Sequence, residues 1–308
     1  MDKEGINVLS LFDWMSCGMI ALERAWIKVN KYFASEIDKY TTQVSKKNYS
    51  NIIRLWDVNN WRERDLWKID LIIWWSPCQW FSFAGKQLAF DDPRSKLFFT
   101  MVDIINHYKP KYFLLENVKM KKEYQDVITE YMWVQPIEIN SALVSAQNRK
   151  RLYWTNIFWI QQPDDKWILL KDILEEEVEE KYYLSNEVFE KLKKYESNGR
   201  LEPLESKSRA ITTMQWWHRQ PKILSLYNNS EKTEKVNTLW SNSQCYTAKS
   251  WQILYNHNRI RKLTPVECER LQTVPDNFTE WVSNSQRYKM LWNWRTVSVI
   301  SHIFSYLK

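Results

Sequence analysis

The sequence is nearly devoid of glycine. Four glycines in 308 residues stand against the roughly 7% of positions that ordinary proteins give this residue, so few positions are suited to left-handed turns. Cysteine is scarce as well: Cys17, Cys78, Cys245 and Cys268 lie far apart, without the paired Cys or Cys/His spacing of a zinc site. That pattern predicts neither a metal site nor a disulfide framework, and hence a reducing, cytoplasmic setting. No apolar run approaches the roughly 18 residues of a membrane span, and the first residues lack a basic segment leading into an apolar core. A soluble chain with no membrane partner is therefore expected. The four histidines show no ligand spacing, no Walker lysine is present, and no internal repeat is visible.

What is present in excess is tryptophan, 19 residues. Basic charge is in modest excess: 44 Lys and Arg against 37 Asp and Glu give +7. Its distribution is uneven. Lys181 through Lys262 holds 15 basic and 7 acidic side chains, a net of +8, so the rest of the chain carries −1. Such a concentration suits a surface that lies on phosphates, although a solvated Lys-rich face would read the same way.

From Val8 to Val118 short apolar runs alternate with helical stretches, the pattern of βαβ units and a mostly parallel sheet. Strands are predicted at Val8–Phe12, Tyr32–Ser35, Ile52–Leu55, Ile69–Ile73, Tyr112–Leu115, Ile137–Ile139 and Leu152–Thr155, with a helix over Met19–Ala25. After the acidic cluster around Glu175–Glu180, Ser185 is placed to cap a helix bearing Val188, Phe189, Leu192 and Tyr195. A polar, loop-rich stretch follows to about His257. Thr264-Pro265-Val266-Glu267 is a capping box with proline in the first turn, and Val297, Ile300, Phe304 and Leu307 space a last helix that packs back on the first domain.

Open α/β sheets bind ligands beyond the carboxyl ends of their strands, and several chemically capable residues fall there. Leu11-Phe12-Asp13-Trp14-Met15-Ser16-Cys17-Gly18 carries a strand into a tight turn and a helix, which aims backbone N–H groups at a ligand. Glu36 ends the next strand, 23 positions after Asp13, where an acid can hold ribose hydroxyls; Asp57-Val58 follows the third. Acids at successive strand ends suggest an adenosine-containing cofactor. Ser76-Pro77-Cys78-Gln79 and Glu116-Asn117-Val118 then place a thiol and a carboxylic acid at two further strand ends. Taken singly, Cys78 also reads as a small buried hydrophobe, Glu116 as a solvated acid and Gln147–Arg151 as a basic loop.

In order along the chain, Phe12-Asp13 with Gly18, Glu36, Asp57-Val58, Pro77-Cys78-Gln79, Glu116-Asn117-Val118, Gln147-Asn148-Arg149-Lys150-Arg151, Arg261-Lys262-Leu263-Thr264-Pro265 with Glu267 and Arg270-Leu271-Gln272, and Asn293 with Val297 resemble the DNA (cytosine-5) methyltransferases. The resemblance spans nearly the whole chain. It implies an α/β fold: a Rossmann-like, S-adenosylmethionine-dependent methyltransferase sheet with helices on both faces, plus a smaller loop-rich target-recognition domain. The implied division is residues 1–160 catalytic and cofactor-binding, 161–260 DNA-binding, and 261–308 returning to the catalytic domain.

The resemblance further implies methyl transfer from S-adenosylmethionine to C5 of cytosine in a specific DNA sequence, through base flipping and a covalent bond from Cys78 to C6. Cys78, Glu116 and Arg151 would be catalytic. Phe12, Asp13, Ser16, Cys17, Gly18, Glu36, Ile37, Asp57, Val58, Pro77, Asn293 and Val297 would surround the cofactor, and Gln79, Ser82, Gln147 and Arg149 would meet DNA. Double-stranded DNA is the implied partner, with a cognate restriction endonuclease as a second one, and the chain is expected to act as a monomer of prokaryotic or phage type, close to the nucleoid. A non-catalytic DNA-binding relative and an RNA cytosine-5 methyltransferase are the competing readings.

Trp14, Trp26, Trp56, Trp74, Trp75, Trp80, Trp292 and Trp294 occupy positions where the family pattern has glycine. Trp61 and Trp154 look ordinary, the latter within Arg-Leu-Tyr-Trp-Thr-Asn. Adding the other 17 to the 4 glycines gives 21 of 308, the usual frequency of roughly 7%. The expectation is that one codon read as glycine, most simply UGA, stands here as tryptophan. If all are literal, Trp14, Trp292 and Trp294 should obstruct the cofactor.

Overall fold

A computed structural model describes residues 4–55, 57–63, 66, 68–75, 93–183, 185, 208–209, 222–224, 251–256 and 259–307. Two compact units emerge: Met1–Asn140 with Lys150–Pro163 and Val297–Lys308, and Ser141–Arg149 with Asp164–Thr296.

The first unit is built on seven strands: β1 (Ile6–Leu11), β2 (Val29–Ser35), β3 (Ile53–Arg54), β4 (Leu71–Trp75), β5 (Tyr112–Val118), β6 (Ile137–Asn140) and β8 (Lys150–Thr155). They lie in the order β3-β2-β1-β4-β5-β8-β6. All neighbours from β3 to β5 are parallel, while β8 runs antiparallel to both β5 and β6. Strands covered on both faces lose the polar alternation of half-exposed ones. That is why Leu71-Ile72-Ile73-Trp74-Trp75 is buried at every position.

Side chains alternate across the sheet, and both faces are covered. Leu9, Leu11, Ile72, Leu115 and Leu152 share a core with Phe98, Met101 and Ile104 of α3 (Pro93–Tyr108) and Ile128 of α4 (Lys122–Met132). On the other face α1 (Cys17–Arg24) sits so close that a Cβ at Gly18 would lie 3.1 Å from Ile73. The last helix, α7 (Val297–Phe304), packs on α1 with Val297, Ile300 and Phe304 buried, and Leu307 beyond it is buried too. The strand and helix expectations for this unit hold, with ends shifted by at most three residues.

The chain leaves β1 for β2 on one side and reaches β4 on the other, so the order reverses between β1 and β4, the place where such sheets open a ligand crevice. The register brings the carboxyl ends level: Leu11 lies opposite Ser35 and Trp74, and Trp75 lies opposite Glu116.

The second unit contains β7 (Gln147–Asn148) beside β9 (Ser208–Arg209), and a three-stranded set of β10 (Lys222–Leu224), β11 (Trp251–Asn256) and β12 (Arg259–Arg261). Helices α5 (Pro265–Leu271) and α6 (Asn284–Asn293) follow. The capping box is formed as read: the Thr264 hydroxyl accepts the Glu267 N–H, and the Glu267 carboxylate accepts the Thr264 N–H at 2.8 Å. The helix expected after Ser185 lies outside the described residues. No helix among the described residues is long and apolar enough to cross a membrane, and no His/Cys/Asp/Glu group among them could hold a metal ion.

Candidate active site

At the end of β1 the backbone turns sharply. Phe12, Trp14 and Ser16 have φ of 57°, 52° and 62°, a left-handed alternation that L-residues adopt at a cost. Two acids hold this turn. Glu36 accepts the Trp14 N–H at 2.9 Å through Oε2, and through Oε1 the N–H groups of Ile37 and Asp38 at 2.8 and 2.7 Å. Burial raises the Glu36 carboxyl above its ordinary value, against the lowering effect of these three donors. A carboxylate has room for about four donors, so Oε2 can still accept from a ligand hydroxyl. The neighbouring Ile37 side chain is 73% exposed.

Asp13 is turned the other way. Its carboxylate is fully buried and accepts the Tyr32 hydroxyl at 2.7 Å and the Ser16 hydroxyl. The Ser16 oxygen also lies 2.6 Å from the Ser45 hydroxyl, which accepts from Arg54 at 2.8 Å. Burial raises the Asp13 pKa, opposed by these hydroxyls and the Arg54 charge. Tyr32 can reach Asp13 because position 18 lacks a side chain: a Cβ there would come within 2.5 Å of the Tyr32 hydroxyl. Tyr32, Ser45 and Arg54 were not among the sequence candidates. Their convergence depends on strand and helix placement, and no local motif marks it.

Cys17 begins α1 buried, with its thiol pKa pushed well up by burial and by the Asp13 charge, so it is a poor nucleophile. Asp57 is exposed and accepts both the backbone and side-chain N–H of Asn59, at 2.8 and 2.9 Å, while Val58 is buried. Phe12 packs its ring 6.4 Å from that of Trp74. Val297 opens α7 and is buried.

At the end of β5, Glu116 is 2% exposed and its Oε1 lies 3.2 Å from Nε of Arg151 on the adjacent β8. The register explains the pair: Arg151 is opposite Val118, two residues from Glu116 and on the same face. Arg151 also donates to the Lys150 carbonyl at 2.8 Å. Glu116 is itself level with Trp75, the last residue of β4, and Cys78 follows Trp75 by three positions. Pro77, Cys78, Gln79 and Ser82 lie outside the described residues.

The remaining candidates belong to the second unit. Gln147 is completely buried and neither polar atom of its side chain has a hydrogen-bond partner among the described residues. Arg149 is buried too, and its carbonyl accepts the Ser141 N–H at 3.0 Å. Asn293 ends α6, donating to the Lys289 carbonyl at 3.1 Å, and its own carbonyl accepts from Arg295 at 3.2 Å.

The chain is similar to known methyltransferases in sequence and in fold. The M1.ScrFI type II methyltransferase of Lactococcus lactis subsp. cremoris is 31% identical over 298 residues, which is 90% of this chain and 71% of that protein. The M.NlaX type II methyltransferase of Neisseria lactamica is 28% identical over 321 residues, 98% of this chain and 96% of its own. Among solved structures, the Entamoeba histolytica methyltransferase EhMeth shares the fold with a TM-score of 0.70 at 19% identity, over 99% of this chain and 98% of that one. The S. pombe Dnmt2 methyltransferase does so with a TM-score of 0.69 at 18% identity, over 97% of each. The family model for C-5 cytosine-specific DNA methylases matches residues 6–134 and 141–308. The chain belongs to that family and is a DNA (cytosine-5) methyltransferase.

Proposed function

We propose that the chain methylates cytosine within a specific DNA sequence by covalent catalysis, with Cys78 as nucleophile and S-adenosylmethionine as methyl donor. The observation that carries this reading is the buried Glu116 beside Arg151, level with the strand end from which Cys78 follows.

The chemistry requires such a set. C5 of cytosine is not nucleophilic, so electrons must first enter the ring. Addition of the Cys78 thiolate to C6 forms an S–C bond and moves density onto C5. Glu116 holds N3 and the exocyclic amine, and a hydrogen bond or proton at N3 receives charge as the thiolate adds. Arg151 is well placed to exchange Glu116 for the carbonyl of the entering base, since one guanidinium can reach both. With the donor bound, C5 would bond to the methyl carbon as the methyl–sulfonium bond breaks to leave a neutral thioether, the C5 proton would pass to water, and the S–C6 bond would break to restore the thiolate and the aromatic ring. The base must leave the duplex for this, at a cost of a few kcal/mol.

The residues beyond β1 and β2 fit the proposed cofactor by their donor chemistry. Glu36 retains acceptor capacity for ribose hydroxyls, and the exposed Ile37 offers an apolar surface to a purine. When bound, S-adenosylmethionine supplies an electrophilic methyl group on a sulfonium. Phe12, Ser16, Gly18, Asp57, Val58 and Val297 complete the proposed cofactor surroundings in the first unit, and Gln147 and Arg149 are proposed DNA contacts of the second. Type II relatives support pairing with a restriction endonuclease, whereas the orphan M.SPRI of Bacillus phage SPR, 25% identical over 98% of this chain and 97% of its own, supports solitary action.

Two measurements test the covalent step. Cys78→Ser should lower transfer of tritiated methyl to DNA by at least about a thousandfold, the scale expected when a nucleophile that acts as part of a unit is removed. Duplex DNA carrying 5-fluorocytosine should become covalently attached to the parent and not to the variant. An active Cys78→Ser protein would refute the mechanism.

A further inference from the structure

We infer that the residues written as tryptophan at positions 14, 26, 133, 159 and 167 are glycine in the protein its own cells produce, one codon being decoded there as glycine. The inference rests on backbone geometry and composition and is independent of the proposed chemistry.

These five tryptophans have φ of 52°, 59°, 53°, 66° and 54°. They make up half of the ten non-glycine residues with positive φ among the described residues. Left-handed backbone is natural for glycine, tolerable for asparagine, and an outlier for a bulky side chain. Five such residues together bring strain comparable with the marginal stability of a domain.

Two of the five end helices in the manner glycine does. At the end of α1 the Ile27 N–H donates to the Leu22 carbonyl and the Trp26 N–H to the Glu23 carbonyl, both at 3.0 Å. This pair of bonds is the Schellman motif, and Trp26 holds the position that glycine usually fills. Trp133 is the left-handed cap of α4. Trp14 lies in the turn beyond β1, where its N–H meets Glu36 and close backbone approach to a cofactor is proposed.

Four of the five side chains are largely exposed. Trp26, Trp133, Trp159 and Trp167 are 94%, 83%, 84% and 67% exposed, so four of the largest apolar side chains project into water at positions chosen for backbone shape. Trp61 and Trp154 behave differently. Trp154 is fully buried in β8, donating to the Thr129 hydroxyl at 2.9 Å. Trp61 lies against the rings of His107 and Tyr108, and neither has positive φ. These are the two tryptophans that the sequence pattern also sets apart. One decoding rule explains both the missing glycine and the left-handed tryptophan; separate substitutions would need a coincidence at each position.

Peptide mass spectrometry of the protein isolated from its source cells decides the matter. Glycine is expected at 14, 26, 133, 159 and 167, with tryptophan at 61 and 154; tryptophan at any of the five overturns the inference. Recombinant protein offers a second readout. A version with glycine at those five positions should melt at a higher temperature than the version with tryptophan, and an equal or lower midpoint would overturn it as well. Neither measurement uses methyl transfer, so failure of the catalytic proposal would leave both results readable.

Discussion

Gly18 shows how much one absent atom can decide. Its backbone is ordinary, and what it supplies is room: a Cβ would stand 2.5 Å from the Tyr32 hydroxyl and 3.1 Å from Ile73. The hydroxyl occupies that room to reach the buried Asp13 carboxylate, which also receives Ser16. Through Asp13, Tyr32 thus holds the turn at Phe12–Ser16. Tyr32→Phe leaves a buried carboxylate one donor short, a loss of about 1.5–3 kcal/mol for a hydrogen bond to a charged group. If that loss falls on the turn, KM for S-adenosylmethionine should rise about tenfold or more with a much smaller change in kcat. Gly18→Ala should do the same by displacing the hydroxyl. Because both act through one contact, the double variant should be little worse than either single. Additive effects in methyl-transfer kinetics would show that the two positions act separately.

At the scale of elements, a local pattern was legible and a distant one was not. The capping box of α5 is written in Thr264-Pro265-Val266-Glu267 and forms as written. The sequence does not show that Glu267, fully buried, also accepts both Nη groups of Arg261 at 2.8 and 2.7 Å and the Glu175 N–H at 2.9 Å, a partner 92 residues upstream. The same holds in the first unit. Buried parallel strands announce themselves as apolar runs, yet β2 begins at Val29, earlier than expected, because pairing with β1 carries exposed Asn30 and Lys31 into the strand. Helix α2 (Lys39–Asn48) has no strong apolar stripe; its signal is Asp38, whose carboxylate accepts the Tyr40 and Thr41 N–H groups at 2.9 and 3.2 Å. Acids at strand ends were readable for the site, and the hydroxyl chain from Tyr32 to Arg54 was not, since it joins three elements that only the fold brings together. The α5 network also yields a magnitude. Glu267→Ala strands the buried Arg261 cation and removes the reciprocal cap, and breaking a buried pair costs about 3–5 kcal/mol. Urea unfolding should show a loss of that size, while Asp276→Ala, which breaks the more exposed pair with Arg270, should cost under about 1 kcal/mol.

For the whole molecule the asymmetry of charge matters more than its total. The segment from Lys181 to Lys262 carries +8 and the rest −1, so attraction to DNA should come from that segment rather than from the chain as a whole. Neutralised phosphates release counterions, and each contact adds about −0.9 to the slope of log affinity against log salt. With about half of the 15 basic side chains of that segment engaged, affinity for a duplex should fall by about 10³–10⁵-fold between about 50 and 200 mM salt. Fluorescence anisotropy with a labelled duplex measures this, and a drop below tenfold would deny the segment its proposed role. Location is tested by two pairs of equal charge change. Replacing Lys222 and Lys249 by glutamine should lower the slope by up to about 1.8, two contacts' worth. Replacing Lys46 and Lys47, in the last turn of α2, should leave it unchanged. Equal responses from the two pairs would mean that the basic excess acts only as diffuse charge and that sequence reading must be sought in another part of the chain.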